Sequence, residues 1–261
     1  MIFRGTVSSQ VLNMQTGISV LVPDTSKGTG PYRTVYLLHG LHGNHDSILD
    51  NTMLPFFAKE YHALFIMPEV GRSFYTDMWH GLKLFTYISE ELPKICGKVF
   101  NLSGKREDTA VMGYSMGGYG ALKVGLTKPE QFGFCGAISS ACLFLKGYLD
   151  GLRKDTSLWL KTGGPDAEAI LRDFYAIYGD DLRWTPDNEI IELVKKVQTA
   201  PVKPRIYAAC GIQDDLHDEN IRFQAAMQPF DFDFTYEEWP GIHDWQFFND
   251  GFKKALQKWY A

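Results

Sequence analysis

Cysteine is scarce in this chain. Cys96, Cys135, Cys142 and Cys210 are its four thiols, and no two of them form a C-x-x-C pair. That spacing speaks against a dithiol redox motif or a thiolate metal site. Thiols in or beside apolar runs read as free, buried groups of a reducing compartment. Charge of one sign is equally scarce: 26 basic against 31 acidic residues leave a net charge of -5. Neither nucleic acid nor an anionic membrane surface is therefore expected as the main partner. No apolar run approaches the length of about 18 residues that a membrane span needs. Met1-Ile2-Phe3-Arg4-Gly5-Thr6 lacks the apolar segment of a secretion signal, so the expected location is the cytoplasm. Repeats, low-complexity tracts and linkers are missing too, which points to one domain over 1–261.

What is present is a core. Hydrophobic residues make up 45% of the 261 residues and aromatics 14%, enough for one sizeable α/β unit. Residues 2–22 alternate loosely and read as antiparallel strands with a turn near Gln15-Thr16-Gly17. Thr34–Leu38, Ala63–Met67, Cys135–Ile138 and Arg205–Cys210 are short apolar runs, as in a sheet covered on both faces. Helical spacing separates them: Met53–Tyr61, Gly81–Val99 with an interruption at Pro93, and a last amphipathic helix to Tyr260. Phe232–Glu237 alternates as an outer strand. The fold class is α/β, a mostly parallel sheet with helices on both faces.

The chain is organised around Ala110-Val111-Met112-Gly113-Tyr114-Ser115-Met116-Gly117-Gly118. Here an apolar strand turns sharply at Ser115 into a helix and carries G-x-S-x-G. A nucleophile on such a turn points out of the sheet, and its neighbours must be almost free of side chain. The helix N-terminus beneath it offers unpaired N–H groups to a developing oxyanion, the first being that of Met116.

A serine hydroxyl needs a base, and the base needs an orienting acid. In this architecture the order is serine, acid, histidine. Asp214 follows the Tyr207–Cys210 strand, and His243 stands in a Gly-Ile-His turn before the last helix. Neighbouring side chains cannot both aim at His243, so Asp214 is preferred and Asp215 reads as a solvated or capping carboxylate. His217 lies too near the acid in sequence to be the base. The second oxyanion donor is expected at the backbone N–H of Leu41, in the loop after the strand that ends at His39-Gly40. His39, His42 and His45 stand three apart on that loop, without the i, i+4 helical face of a metal site. No metal or organic cofactor is required.

From about Ala141 to Pro204 clean strands give way to amphipathic pieces: Leu145–Lys154, Ala167–Tyr178 and Pro186–Val197. This segment reads as a helical insertion over the site or as a connection remote from it. Phe74, Tyr75 and Trp79, on the loop after Met67, are candidate substrate-wall residues. Trp159 and Trp184 add aromatic surface.

Four stretches together resemble a known group: Met112–Leu122, Leu37–Ser47, Cys210–Leu216 and Gly241–Phe248. They look like the bacterial tributyrin-esterase branch of the putative esterase family, which is related to S-formylglutathione hydrolases. The likeness covers nearly the whole chain. It implies the α/β-hydrolase fold, Ser115 as nucleophile, His243 as base, Asp214 as acid and Leu41 and Met116 as oxyanion donors. One departure stands out. After His39-Gly40 the formylglutathione branch has a Thr-Cys-Thr-like loop, and this chain has His42-Gly43-Asn44-His45. The expected activity is a serine carboxylesterase on small-molecule short-chain acyl esters. The alternatives are an acetyl or feruloyl esterase on plant-sugar esters, an S-formylglutathione-hydrolase-like thioesterase, an acyltransferase, and a binding module that kept the fold. A homo-oligomer is compatible with all of these.

Overall fold

The structure is a computed structural model that describes residues 1–24, 28 and 30–261. Strands β1 (Ile2–Ser9), β2 (Met14–Leu21), β3 (Arg33–Leu38), β4 (Ala63–Pro68), β5 (Thr109–Tyr114), β6 (Phe134–Ile138), β7 (Arg205–Gly211) and β8 (Phe234–Trp239) form one sheet. Its order is β1-β2-β4-β3-β5-β6-β7-β8. β1 and β2 pair antiparallel, β2 meets β4 antiparallel, and every later pairing is parallel. This is the mostly parallel sheet expected of an α/β-hydrolase fold.

The parallel strands are apolar on both faces because both faces are covered. On β5, Val111 packs into one core while Ala110 and Met112 pack into the other. One core holds α1 (Ser47–Asn51), α2 (Leu54–Tyr61) and the last helix. The other holds α3 (Leu84–Thr86), α4 (Leu92–Val99) and α5 (Met116–Thr127). The expected long helix over 81–99 starts at Leu84 and has a π-helical turn at Tyr87–Glu91 just before Pro93, which then sits in the first turn of α4.

The N-terminal turn differs from expectation. It falls at residues 10–13, where Asn13 has φ 53°, and Gln15–Gly17 belong to β2. Gly17 is there for space: a Cβ would strike the imidazole of His45.

Between β6 and β7 run α6 (Leu145–Lys154), α7 (Thr156–Thr162), α8 (Ala167–Tyr178) and α9 (Ile190–Val197), with a 3-10 turn at Pro186–Asn188. α7 had no clear signal in the sequence. α9 packs along α5, and both ends of the 141–188 excursion are tied to the start of α5. The Ala141 N–H donates to the Ser115 carbonyl at 3.2 Å. The Tyr119 hydroxyl donates to the Asn188 carbonyl at 2.8 Å. After β7 come α10 (His217–Met227) and, after β8, α11 (Trp245–Tyr260).

Candidate active site

Ser115 sits between β5 and α5 with φ 56° and ψ -122°, a backbone state costly for any residue with a side chain. The surroundings hold it there. Its N–H donates to the Ile138 carbonyl at 2.9 Å, and its carbonyl accepts the N–H of Gly118 at 3.0 Å. The flanking glycines are steric requirements: a Cβ on Gly113 would collide with the Gly117 carbonyl, and one on Gly117 with the Leu38 carbonyl. The Ser115 side chain makes no capping hydrogen bond to α5, and the residue lines a cavity of about 630 Å³.

Asp214 and His243 line the same cavity, as do Leu41 and Met116. His243 Nδ1 lies 2.8 Å from Asp214 Oδ2, and the Asp214 side chain is wholly buried. The other carboxylate oxygen accepts the Leu216 N–H at 2.8 Å. Burial alone would raise the Asp214 pKa. The hydrogen bond and charge of His243, with the Leu216 N–H, outweigh it and hold the carboxyl below its ordinary value. The His243 ring stands edge-on to Phe248 at 5.0 Å. Asp215 is exposed at the cavity lining, and His217 Nε2 faces Glu238 at 3.0 Å.

The three loop histidines diverge. His39 is buried; its Nδ1–H donates to the Gly40 carbonyl at 2.8 Å, and its Nε2 accepts the Val70 N–H at 3.2 Å. His42 Nε2 faces Asp166 at 3.2 Å, and His45 Nδ1 faces Glu69 at 3.1 Å. No group of three ligating side chains converges among the described residues.

Of the aromatic loop, only Phe74 lines the cavity. Tyr75 and Trp79 do not, which corrects the expected substrate wall. Tyr75 is fully buried against Gly120, and its hydroxyl donates to the His39 carbonyl at 2.8 Å. It braces the strand end that leads to Leu41. Trp79 is pulled away by backbone pairing with the end of α8, its N–H donating to the Ile177 carbonyl at 2.9 Å. Its ring is exposed beneath the Arg183 guanidinium. Trp184 is likewise elsewhere, donating to Glu189 at 3.2 Å.

Sequence reasoning missed much of the cavity lining. Tyr148, Ile170 and Phe174 come from the 141–204 segment with Trp159, and Trp245 and Phe248 from the first turn of α11. The only signal was the amphipathic spacing of α6 and α8. The four thiols are free and buried, and Cys142 lines the cavity.

Residues 9–259 match the family model described as putative esterase. The chain is 32% identical over 228 residues to an acetyl esterase of Caldicellulosiruptor saccharolyticus, covering 86% of this chain and 82% of that one. Among solved structures it resembles FphF, a fluorophosphonate-binding serine hydrolase of Staphylococcus aureus, at TM-score 0.85 and 24% identity, over 100% of this chain and 98% of that one. It also resembles the S-formylglutathione hydrolase FrmB of Staphylococcus aureus, at TM-score 0.81 and 25% identity, over 100% and 99%. No helix among the described residues is long and apolar enough to cross a membrane. With an α/β-hydrolase sheet, a serine on its strand-to-helix turn and a family match over almost its whole length, the chain belongs to the putative esterase family and is a serine hydrolase of carboxylic esters.

Proposed function

We propose that this esterase cleaves short-chain acyl esters through a covalent acyl-Ser115 intermediate, with acetyl esters of small alcohols and sugars as its first substrates. The 2.8 Å contact of His243 Nδ1 with Asp214, in the cavity onto which Ser115 opens, carries the reading. With Nδ1–H donated to the buried carboxylate, Nε2 is the ring's basic nitrogen. Ser115 Oγ attacks the ester carbonyl carbon while Nε2 takes its proton. The oxyanion accepts hydrogen bonds from the N–H groups of Leu41 and Met116. The imidazolium then gives its proton to the alcohol oxygen as the C–O bond breaks. Water, deprotonated by His243, attacks the acyl carbon; the acid leaves and Ser115 recovers its proton.

Acetyl esters are favoured because the relative of 32% identity is an acetyl esterase. The 141–204 segment acts as a cap that supplies one wall, with Tyr148, Trp159 and Phe174 facing the substrate. Those rings also support a second reading, feruloyl or other aromatic-acyl sugar esters, since they suit stacking.

The test compares wild type with Ser115→Ala on p-nitrophenyl acetate, butyrate and octanoate, then on acetylated xylo-oligosaccharide, methyl ferulate and S-formylglutathione. Turnover should fall with chain length and drop by several orders of magnitude in the variant. A variant within a few-fold of wild type would sink the acyl-serine mechanism.

A further inference from the structure

A second cavity, of about 520 Å³, is bounded by α5, the end of α8, the loop at Thr76–Trp79 and the turn at Pro186–Asn188. None of Ser115, Asp214 and His243 lines it. Lys123, eight residues along α5 from Ser115, does, and it is buried. Its ammonium donates to Thr76 Oγ1 at 2.7 Å and to Asn188 Oδ1 at 2.6 Å. An ammonium has three N–H donors, and these two neutral acceptors take two of them.

Lys123 forms no ion pair with any carboxylate among the described residues. The acids nearby are engaged elsewhere. Asp77 accepts from the Thr86 N–H at 2.9 Å and the Thr86 hydroxyl at 2.6 Å, and Asp187 faces Lys196 at 3.5 Å. Arg183 at the rim pairs with Asp181 at 3.3 Å and lies over the exposed Trp79 ring. Asp187 and Arg183 are thus in ion pairs, whereas Asp77 is held by the neutral donors of Thr86 alone, and Lys123 has no carboxylate in contact among the described residues. Burial pulls the Lys123 pKa down to about 7, against the pull of Asp77 and Asp187. Four residues on, on the same face of α5, the Thr127 hydroxyl is buried with no hydrogen-bond partner. A buried ammonium with no carboxylate in contact and a third N–H to place, and an orphaned hydroxyl, each carry a cost that a ligand would relieve.

We propose that this cavity binds a small organic carboxylate, its anionic head on Lys123 and Thr127 and its apolar body along Phe85, Ile177 and Trp79. One buried ammonium, on a cavity whose wall already carries Asp77 and Asp187, suits a monoanion better than a phosphate dianion. Phe85 lies 5.0 Å from the ammonium and supplies apolar surface beside the head group. The inference is independent of the esterase mechanism.

The experiment is calorimetric titration of the full chain with sodium benzoate, and separately with sodium phosphate, at matched ionic strength. Wild type should bind benzoate saturably in the millimolar range that a fragment of this size reaches. Lys123→Met should abolish that binding, and Thr127→Val should weaken it about tenfold, while Trp159→Ala, which alters only the first cavity, should leave it. Melting curves of each variant establish that it is folded, and Thr127→Val carries the test should Lys123→Met not fold. Binding should also weaken from pH 6 to pH 8.5 as Lys123 loses its proton. Equal binding by wild type and the folded Lys123 or Thr127 variant, phosphate binding without benzoate, loss in Trp159→Ala alone, or no saturable binding would each overturn the proposal.

Discussion

Asp214→Asn is the sharpest probe of the site, because the two hydrogen bonds of the carboxylate set its outcome. One oxygen accepts the Leu216 N–H at 2.8 Å and the other faces His243 Nδ1 at 2.8 Å, and the side chain has no access to solvent. An asparagine of the same shape has one acceptor for two donors. If its oxygen keeps Leu216, its NH₂ faces Nδ1 and forces the imidazole into the tautomer whose Nε2 carries the proton and cannot take one from Ser115. If it turns round, its NH₂ opposes the Leu216 N–H, and a buried donor goes unpaired at a cost of about 1–3 kcal/mol. The productive orientation is then disfavoured by roughly one to two decades. Losing the charge-assisted bond to the imidazolium removes a further ~1.5–3 kcal/mol of transition-state stabilisation. The combined loss is about 2.5–6 kcal/mol, or roughly two to four decades in kcat. The assay is p-nitrophenyl acetate turnover beside a melting curve, with the exposed Asp215→Asn as control, expected within about twofold of wild type. A properly folded Asp214→Asn losing less than tenfold would refute the assignment of the orienting acid.

Asp214 also makes an acid-stability prediction. Its folded pKa lies below the ordinary carboxylate value, so its contribution is complete above about pH 4–5 and is lost as pH falls through the folded pKa; Asp214→Asn should flatten that part of the Tm–pH curve. Lys123 has the opposite sense. With a folded pKa near 7 and an ordinary one near 10.4, the unfolded chain binds the extra proton between them, so stability rises with pH over that interval. The Tm of wild type minus that of Lys123→Met should therefore increase from pH 7 to pH 9; a constant difference would contradict it. Tyr75→Phe removes the hydroxyl that braces the His39 carbonyl and should cost about 1 kcal/mol of stability, read by denaturant unfolding, with a few-fold fall in kcat. Gly117→Ala must displace the Leu38 carbonyl or the turn itself, and should cost at least about 1–3 kcal/mol and most of the activity; near-normal turnover would show that the turn is looser than its contacts imply.

How much of this was legible in the sequence follows from the range of the forces involved. The strands β3 to β7 were visible because a doubly covered strand is a continuous apolar run. The Ser115 turn was visible because its contacts lie within a few residues, and Gly113 and Gly117 record them directly. Asp214 and His243 could be placed by chain order. The aromatic loop could not be resolved in the same way: Phe74, Tyr75 and Trp79 are alike in composition, and tertiary contacts decide among them. Tyr75 is claimed by the His39 carbonyl and Trp79 by the end of α8, leaving Phe74 at the cavity. The helix α7 carried no clean periodicity, and its place is set by packing against α6 and α8. The wall of Tyr148, Trp159 and Phe174 was invisible as a wall, because nothing local says which side of an amphipathic helix meets a ligand and which meets the core.

The two ties of the 141–188 excursion, to Ser115 and to Tyr119, carry a consequence for how such an enzyme changes its diet. They are one helical turn apart, about 6 Å along α5. A segment whose two ends are both anchored to the first turn of one helix has the character of a cassette. Closing it costs an entropy that grows only logarithmically with its length, and no strand of the sheet and neither partner of the Asp214–His243 contact lies between its ends. One wall of the cavity and the strained serine with the sheet beneath it thus come from separable stretches of the chain, so that the wall can vary while the turn and the strands stay as they are.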